Sequence, residues 1–253
     1  MKKITGIAAC LVLFSAMQAQ ADEPLPPAVA HIASQGITII KKIKGPGGMQ
    51  GWLGQYQGVG VTIYLTPDGK HAISGYLYDE NGKNLSEELF KQELYIPQGR
   101  ALWKKMAQGP VIKSGRDDAP RKLVVFADPF CPYCMRFHAA AQPWVDAGKV
   151  QIYTRLVAVL NPQSGRYAAA ILNASDPAKA WDSWEQSGGK KPPALVEKTP
   201  HRTVQELQLN QQLMDEAGAN ATPAIYYLNQ DNVLQQVVGM PDDQQMAAMF
   251  GPK

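Results

Sequence analysis

The sequence predicts two units in series, a small, mainly antiparallel unit over residues 22–83 and a larger α/β layer domain over residues 113–253. Three observations carry this. Short β-branched runs separated by Gly, Pro and Asn turns fill the first third of the chain. The pattern turns helical from Ser86 to about Gln108. Beyond it come strand, helix and strand, then a helical excursion, a hairpin and a last helix, an order that builds a sheet covered by helices.

Taken in order, Met1-Lys2-Lys3 followed by the apolar Ile4 to Ala16, with Ala19-Gln20-Ala21 as a cleavage site, reads as an export signal over residues 1–21. A signal of this kind points to the bacterial periplasm, with the mature chain soluble. No later stretch approaches the roughly 18 apolar residues needed to span a membrane, so no stable membrane insertion is expected. In the first unit, Ala28 to Ser34 forms a short helix ending near Gly36. Ile37 to Ile40, Tyr56 to Tyr64 and His71 to Tyr78 read as strands, with turns at Gly45 to Gly48, Pro67-Asp68-Gly69-Lys70 and Asn81-Gly82. The unit has few apolar residues and needs a partner surface to complete its core.

From 84 to 112 a helical connector is expected. Ser86 serves as its cap, and Pro97 and Gly99 break or kink it. In the second domain, Leu123 to Ala127 is a buried strand leading into Asp128-Pro129-Phe130-Cys131-Pro132-Tyr133-Cys134 and a helix through about Trp144. Val150 to Val159 is the next strand, and helices follow at Tyr167–Asn173, Ala178–Gln186 and Val204–Glu216. Ala224 to Leu228 and Val233 to Val238 form a hairpin, and Pro241 to Phe250 is the closing helix.

Charge excludes more than it suggests. The 25 basic and 22 acidic side chains are well mixed, so the concentrated positive surface that nucleic acid requires is missing. Cysteine usage is more informative. Cys10 lies in the signal, which leaves Cys131 and Cys134 as a close pair in a compartment where disulfides form. The loop between them is too short to staple a fold, so the pair reads as chemical. Placed just past a strand at the opening of a helix, Cys131 meets free backbone N–H groups and the positive helix end. Such placement lowers a thiol pKa from about 8.5 into roughly the 3.5–7.5 range. Cys131 should therefore attack and be the more exposed thiol. Cys134, almost a turn on, should resolve the mixed disulfide.

Pro132 is tolerated in the first turn because its missing N–H has no helical partner there. Zinc is disfavoured, because Cys131, Cys134 and His138 lack a fourth ligand or a second close pair; His138 reads as a partly exposed helix residue. Gly45-Pro46-Gly47-Gly48 lacks the strand–glycine–helix context of a dinucleotide site, so no cofactor is expected. Thr222-Pro223 directly precedes an apolar strand, although X-Pro bonds are mostly trans.

Gly36 to Ile40, Tyr64 to Lys70, Phe126 to Cys134 and Gly218 to Tyr227 together resemble the bacterial periplasmic DsbC/DsbG family, and its DsbG branch through Pro132-Tyr133. The resemblance implies a cystatin-like α+β dimerisation domain at 22–83, a helical linker at 84–112 and a thioredoxin-fold catalytic domain with a helical insertion. It also implies a V-shaped homodimer whose active sites face a broad cleft. By the same resemblance Cys131 is the nucleophile, Cys134 the resolving cysteine and Pro223 a cis-proline beside them. Thr222 contacts substrate backbone or tunes the thiol. Where ordinary thioredoxins carry a buried acid six residues before the nucleophile, this chain has Val125, so the acceptor of the Cys134 proton is unidentified.

The implied tasks are reduction or isomerisation of protein disulfides and reduction of sulfenylated cysteines, with a DsbD-like membrane reductant keeping the pair reduced. The alternatives are net dithiol oxidation, or a redox-independent chaperone to which Trp52, Tyr56 and Tyr64 contribute.

Overall fold

The computed structural model describes residues 24–251, so the expected signal peptide lies outside the described residues. The chain divides into two compact units, Met1–Ser86 and Glu87–Lys253.

In the first unit, helix α1 (Pro27–Ala33) precedes four antiparallel strands, β1 (Thr38–Lys44), β2 (Gln50–Tyr56), β3 (Val59–Leu65) and β4 (Ala72–Ser74), paired in that order. Val29 of α1 packs with Trp52, Ile63 and Leu65, a small core for the unit. The expected strand from Tyr56 to Tyr64 is in fact a hairpin. Tyr56 ends β2, Gln57-Gly58 makes the turn, and β3 starts at Val59. Strand β2 escaped the sequence reading because glycines interrupt it, and glycine is a poor strand former. Here glycine answers to space: a Cβ on Gly54 would lie 2.7 Å from Ile37 Cγ2 and 3.0 Å from the Thr38 carbonyl. The return strand is also shorter than expected, three residues in place of eight.

Helix α2 (Leu85–Phe90) starts one residue before Ser86, so Ser86 does not cap it. Its buried hydroxyl instead accepts the Leu77 N–H at 2.8 Å. A π-helical stretch, Lys91–Tyr95, then leads into α3 (Ile96–Ala107). The expected break is therefore an irregular winding just ahead of Pro97, which absorbs the missing N–H without ending the helix. Gly99 makes no break. It lets the helix approach closely, since a Cβ there would meet Leu234 Cβ at 2.9 Å.

In the second unit the five-stranded sheet has the order β5-β7-β6-β8-β9. Its strands are β5 (Ile112–Ser114), β6 (Arg121–Ala127), β7 (Val150–Leu156), β8 (Ala224–Leu228) and β9 (Leu234–Val238). Only β6 and β7 run parallel, joined by the crossover helix α4 (Pro132–Asp146). Helices α5 (Ser164–Leu172), α6 (Pro177–Gln186) and α7 (His201–Glu216) fill the insertion before β8, and α8 (Asp243–Phe250) closes the chain.

Alternation along β6 divides the core into two layers. Leu123, Val125 and Ala127 face Phe137, Trp144, Trp181, Met249 and Phe250. Val124 and Phe126 face Met106, Leu213, Met214 and Tyr226, with Leu102 and Trp103 beside them. The second half of the expected connector is thus built into the core of this unit. Buried Arg155 fixes it there: its Nε donates to the Met106 carbonyl at 2.6 Å, and its guanidinium also reaches the Gln108 carbonyl and Asn210 Oδ1. Among the described residues no helix is long and apolar enough to cross a membrane.

Candidate active site at the start of α4

Strand β6 ends at Ala127, and the next four residues are held tightly before the helix begins. Buried Asp128 accepts from the N–H of Phe130 at 2.8 Å, of Val159 at 2.8 Å and of Leu160 at 3.0 Å, and from Ser164 Oγ at 2.8 Å. Trp184 Nε1 donates to the Pro129 carbonyl at 2.6 Å, and the Phe130 ring packs edge-on against Tyr167 and Trp184. Cys131 then takes the N-cap of α4 with an extended backbone, and its Sγ accepts the Cys134 N–H at 3.2 Å. Pro132 occupies the first turn. Pro132 and Tyr133 face solvent, and the Arg136 guanidinium lies 5.6 Å from the Tyr133 ring centre.

The Thr222–Pro223 bond is cis, and Thr222 lies against Cys131. The Cys131 thiol donates to the Thr222 carbonyl at 3.2 Å. Cys131, Cys134 and Thr222 are therefore one cluster, although Thr222 is 91 residues from Cys131 in sequence. Both cysteines are free thiols.

Electrostatically the two thiols are opposites. Hydrogen bonding from the Cys134 thiol lowers the Cys131 pKa to about 6 against the cost of burial, helped by Thr222 and by the N–H groups of Cys134 and Tyr133. Burial pushes the Cys134 thiol far up, and its hydrogen bond to Cys131 and the charge there push it further. A low-pKa thiol beside a tightly protonated one can attack a sulfur electrophile while its neighbour waits.

Residues 16–87 match the N-terminal domain of the disulfide bond isomerase proteins, and residues 111–251 match the thioredoxin-like domain. The chain is 53% identical over 231 residues to the thiol:disulfide interchange protein DsbG of Escherichia coli K12, covering 91% of this chain and 93% of that one. Against DsbG of Pseudomonas aeruginosa PAO1 it is 41% identical over 243 residues, covering 96% and 95%. The chain belongs to the DsbC/DsbG family. Its second unit also shares the fold of the catalytic domain of Proteus mirabilis ScsC, with a TM-score of 0.50 at 22% identity over 60% of this chain and 95% of that one. As a DsbC/DsbG protein it is a periplasmic thiol–disulfide oxidoreductase/isomerase with a thioredoxin-fold domain.

One expectation needs correction in this DsbC/DsbG dithiol. Cys131 is not the more exposed thiol: it is 1% exposed and Cys134 3%. The segment at Thr222 covers the sulfur that the helix start would otherwise present. His138 is a partly exposed residue of α4, as expected, and its Nε2 lies 2.9 Å from Asp182 Oδ1. Trp52 and Tyr64, considered for a binding surface, are core, and only Tyr56 is exposed.

Two residues escaped the sequence reading. Asp128 carries no role of its own in the sequence reading, although an acid between a buried strand and a helix start suits a group that gathers backbone N–H donors. Glu185 carries none either. Yet it stands four residues after Trp181, on the helix face that Trp181 buries, and that spacing was the available signal.

Proposed function

We propose that the chain reduces or isomerises protein disulfides and reduces sulfenylated cysteines, with Cys131 as nucleophile and Cys134 as resolving thiol. The observation that carries this reading is the asymmetry of the pair, a thiol at the N-cap of α4 with its pKa near 6 beside a buried thiol whose pKa is raised. With a disulfide substrate, the Cys131 thiolate attacks one sulfur and the other leaves as thiolate. With a sulfenic acid, it attacks the sulfur of S–OH, and hydroxide leaves as water after taking a proton. In both cases a mixed disulfide forms at Cys131. Cys134 then attacks Cys131 Sγ, the substrate cysteine is released reduced, and the pair becomes a disulfide. A DsbD-like membrane donor returns two electrons to it. Isomerisation ends instead when a second substrate thiol releases Cys131.

Pro132 and Tyr133 support the face that meets substrate, and Pro223 packs the β8 entry against the thiols. The buried Thr222 hydroxyl has no partner of its own among the described residues, so it is free to donate to the Cys131 thiolate. The working unit is a homodimer joined through residues 22–83, with residues 84–112 linking them to the catalytic domain at 113–253. Support for the contact comes from the short edge strand β4 and the exposed apolar side chains of Ile73 and Tyr78 beside it.

The test supplies the reduced full-length protein with a scrambled-disulfide protein and, separately, with a protein bearing one sulfenylated cysteine. Both should be repaired by the native chain and by neither Cys131→Ala nor the double Cys→Ala variant. Repair by Cys131→Ala would refute the assignment. Protection from aggregation by the double variant, with native-chain repair absent, would establish a chaperone in its place. Accumulation of the oxidised pair in cells would mark a net oxidase.

A further inference from the structure

Cys134 must lose a proton before it can resolve a mixed disulfide, and burial holds that proton tightly. Thioredoxins place an acid where this chain has Val125, so the proton needs another destination. Beneath Cys134 lies a cavity of about 20 Å³, lined by Cys134, Val125, Ser114, Thr154, His138 and Glu185. That volume holds about one water. Glu185 is 4% exposed, and both of its carboxyl oxygens are buried with no hydrogen-bond partner among the described residues. The Ser114 hydroxyl on the same lining is likewise unpartnered. An unsatisfied buried carboxyl is costly, and such a group at an active site points to use in the chemistry.

We propose that Glu185 accepts the Cys134 proton in the resolving step, through one water held in this cavity between the Ser114 hydroxyl and the carboxylate. As Cys134 Sγ attacks Cys131 Sγ, its proton passes to Glu185. The Cys131–substrate S–S bond breaks, the substrate sulfur departs with the electron pair as a thiolate, and the Cys131–Cys134 bond forms. The pair is oxidised by two electrons and the substrate disulfide is reduced by two.

The charge on Cys131 sets when the base is available. Burial raises the Glu185 pKa to about 9, and negative charge at Cys131 and Asp182 adds to the rise. While Cys131 is a thiolate, Glu185 stays protonated and Cys134 has no acceptor. In a mixed disulfide Cys131 carries no charge, and the carboxyl moves toward ionisation at the step that needs it. The other titratable groups around it are few. His138 on α4 is bonded to Asp182 of α6 itself, Lys113 on β5 is paired with Asp117, and Tyr167 on α5 packs against Trp184.

This inference rests on the roles proposed for the two cysteines, and its test separates the steps. Reduced full-length protein is mixed with oxidised glutathione at pH 6 to 9 and quenched in acid, and the mixed disulfide and the closed pair are counted by mass. In Glu185→Gln the rate of closure relative to formation should fall at least about tenfold, the low end of what a general base contributes being about a hundredfold. The pH dependence of closure should flatten, and Glu185→Asp should restore part of both. Closure within twofold of the native rate in Glu185→Gln, with its pH profile intact, would overturn the proposal. So would an equal slowing at every pH in Glu185→Gln and Glu185→Asp, which marks a packing defect. Failure to form any adduct at Cys131 in the native chain would instead defeat the cysteine roles.

Discussion

The Cys131 pKa is a property of the pair rather than of the helix start alone, because its largest contribution is the hydrogen bond from the Cys134 thiol. Thiolate absorbance against pH should therefore give about 6 for the native reduced chain. It should give a value higher by about one unit or more in Cys134→Ala, with Cys134→Ser in between. Thr222→Val should also raise it, because the side chain it removes lowers the Cys131 pKa by hydrogen bonding. A value near 6 in all three variants would show that the helix terminus alone activates the thiol.

The same groups set how stability varies with pH. The Cys131 pKa is depressed on folding, so its contribution is full above the unfolded value near 9 and is lost as pH falls through about 6. The Glu185 pKa is raised, so its contribution is full below the unfolded value of 4.5 and is lost as pH rises through about 9. Between about 6 and 9 the two oppose each other. Unfolding of the reduced Glu185→Gln chain should therefore show stability rising with pH across this window relative to the native chain, and parallel profiles would contradict the reading.

The element that presents the thiols is braced by Asp128, which ties the end of β6 to the segment after β7 and to α5. Asp128→Ala would leave three backbone N–H groups and the Ser164 hydroxyl short of an acceptor. The expected loss is about 3 kcal/mol, read from the denaturant midpoint, since each unsatisfied buried group costs about 1–3 kcal/mol and some would regain water. A loss below about 1 kcal/mol would show that the loop holds without it.

Most elements of the second unit were legible because their signals are local. Leu123 to Ala127 is a continuous apolar run, Pro132 opens α4, and Asn229 to Asn232 turns the β8–β9 hairpin. What escaped depends on neighbours distant in sequence. The strand β2 uses glycine to make room for Ile37 and Thr38, and Gly99 lets α3 approach Leu234, far along the chain. The cysteines were legible for the same local reason. Glu185 was not, because only the fold carries α6 beneath Cys134.

For the whole molecule, the first unit has a core of a few side chains and leaves Ile73 and Tyr78 exposed, which suits a self-complementary contact between two copies. Ile73→Asp should shift the full chain from dimer to monomer by sedimentation while leaving its far-ultraviolet dichroism in place. A dimer as tight as the native one would move the contact elsewhere. If dimerisation shields the pair from a membrane oxidase, the monomeric variant should also accumulate the oxidised dithiol in cells.

Above both sits the claim that one thiol attacks and the other releases, and a trapping measurement tests it most directly. Full-length Cys134→Ala and Cys131→Ala chains are exposed in the periplasm to native substrates, quenched in acid, and their disulfide-linked adducts mapped by mass. Cys134→Ala should accumulate adducts joined through Cys131, and Cys131→Ala should accumulate few. Equal trapping by the two variants, or adducts chiefly through Cys134, would contradict it.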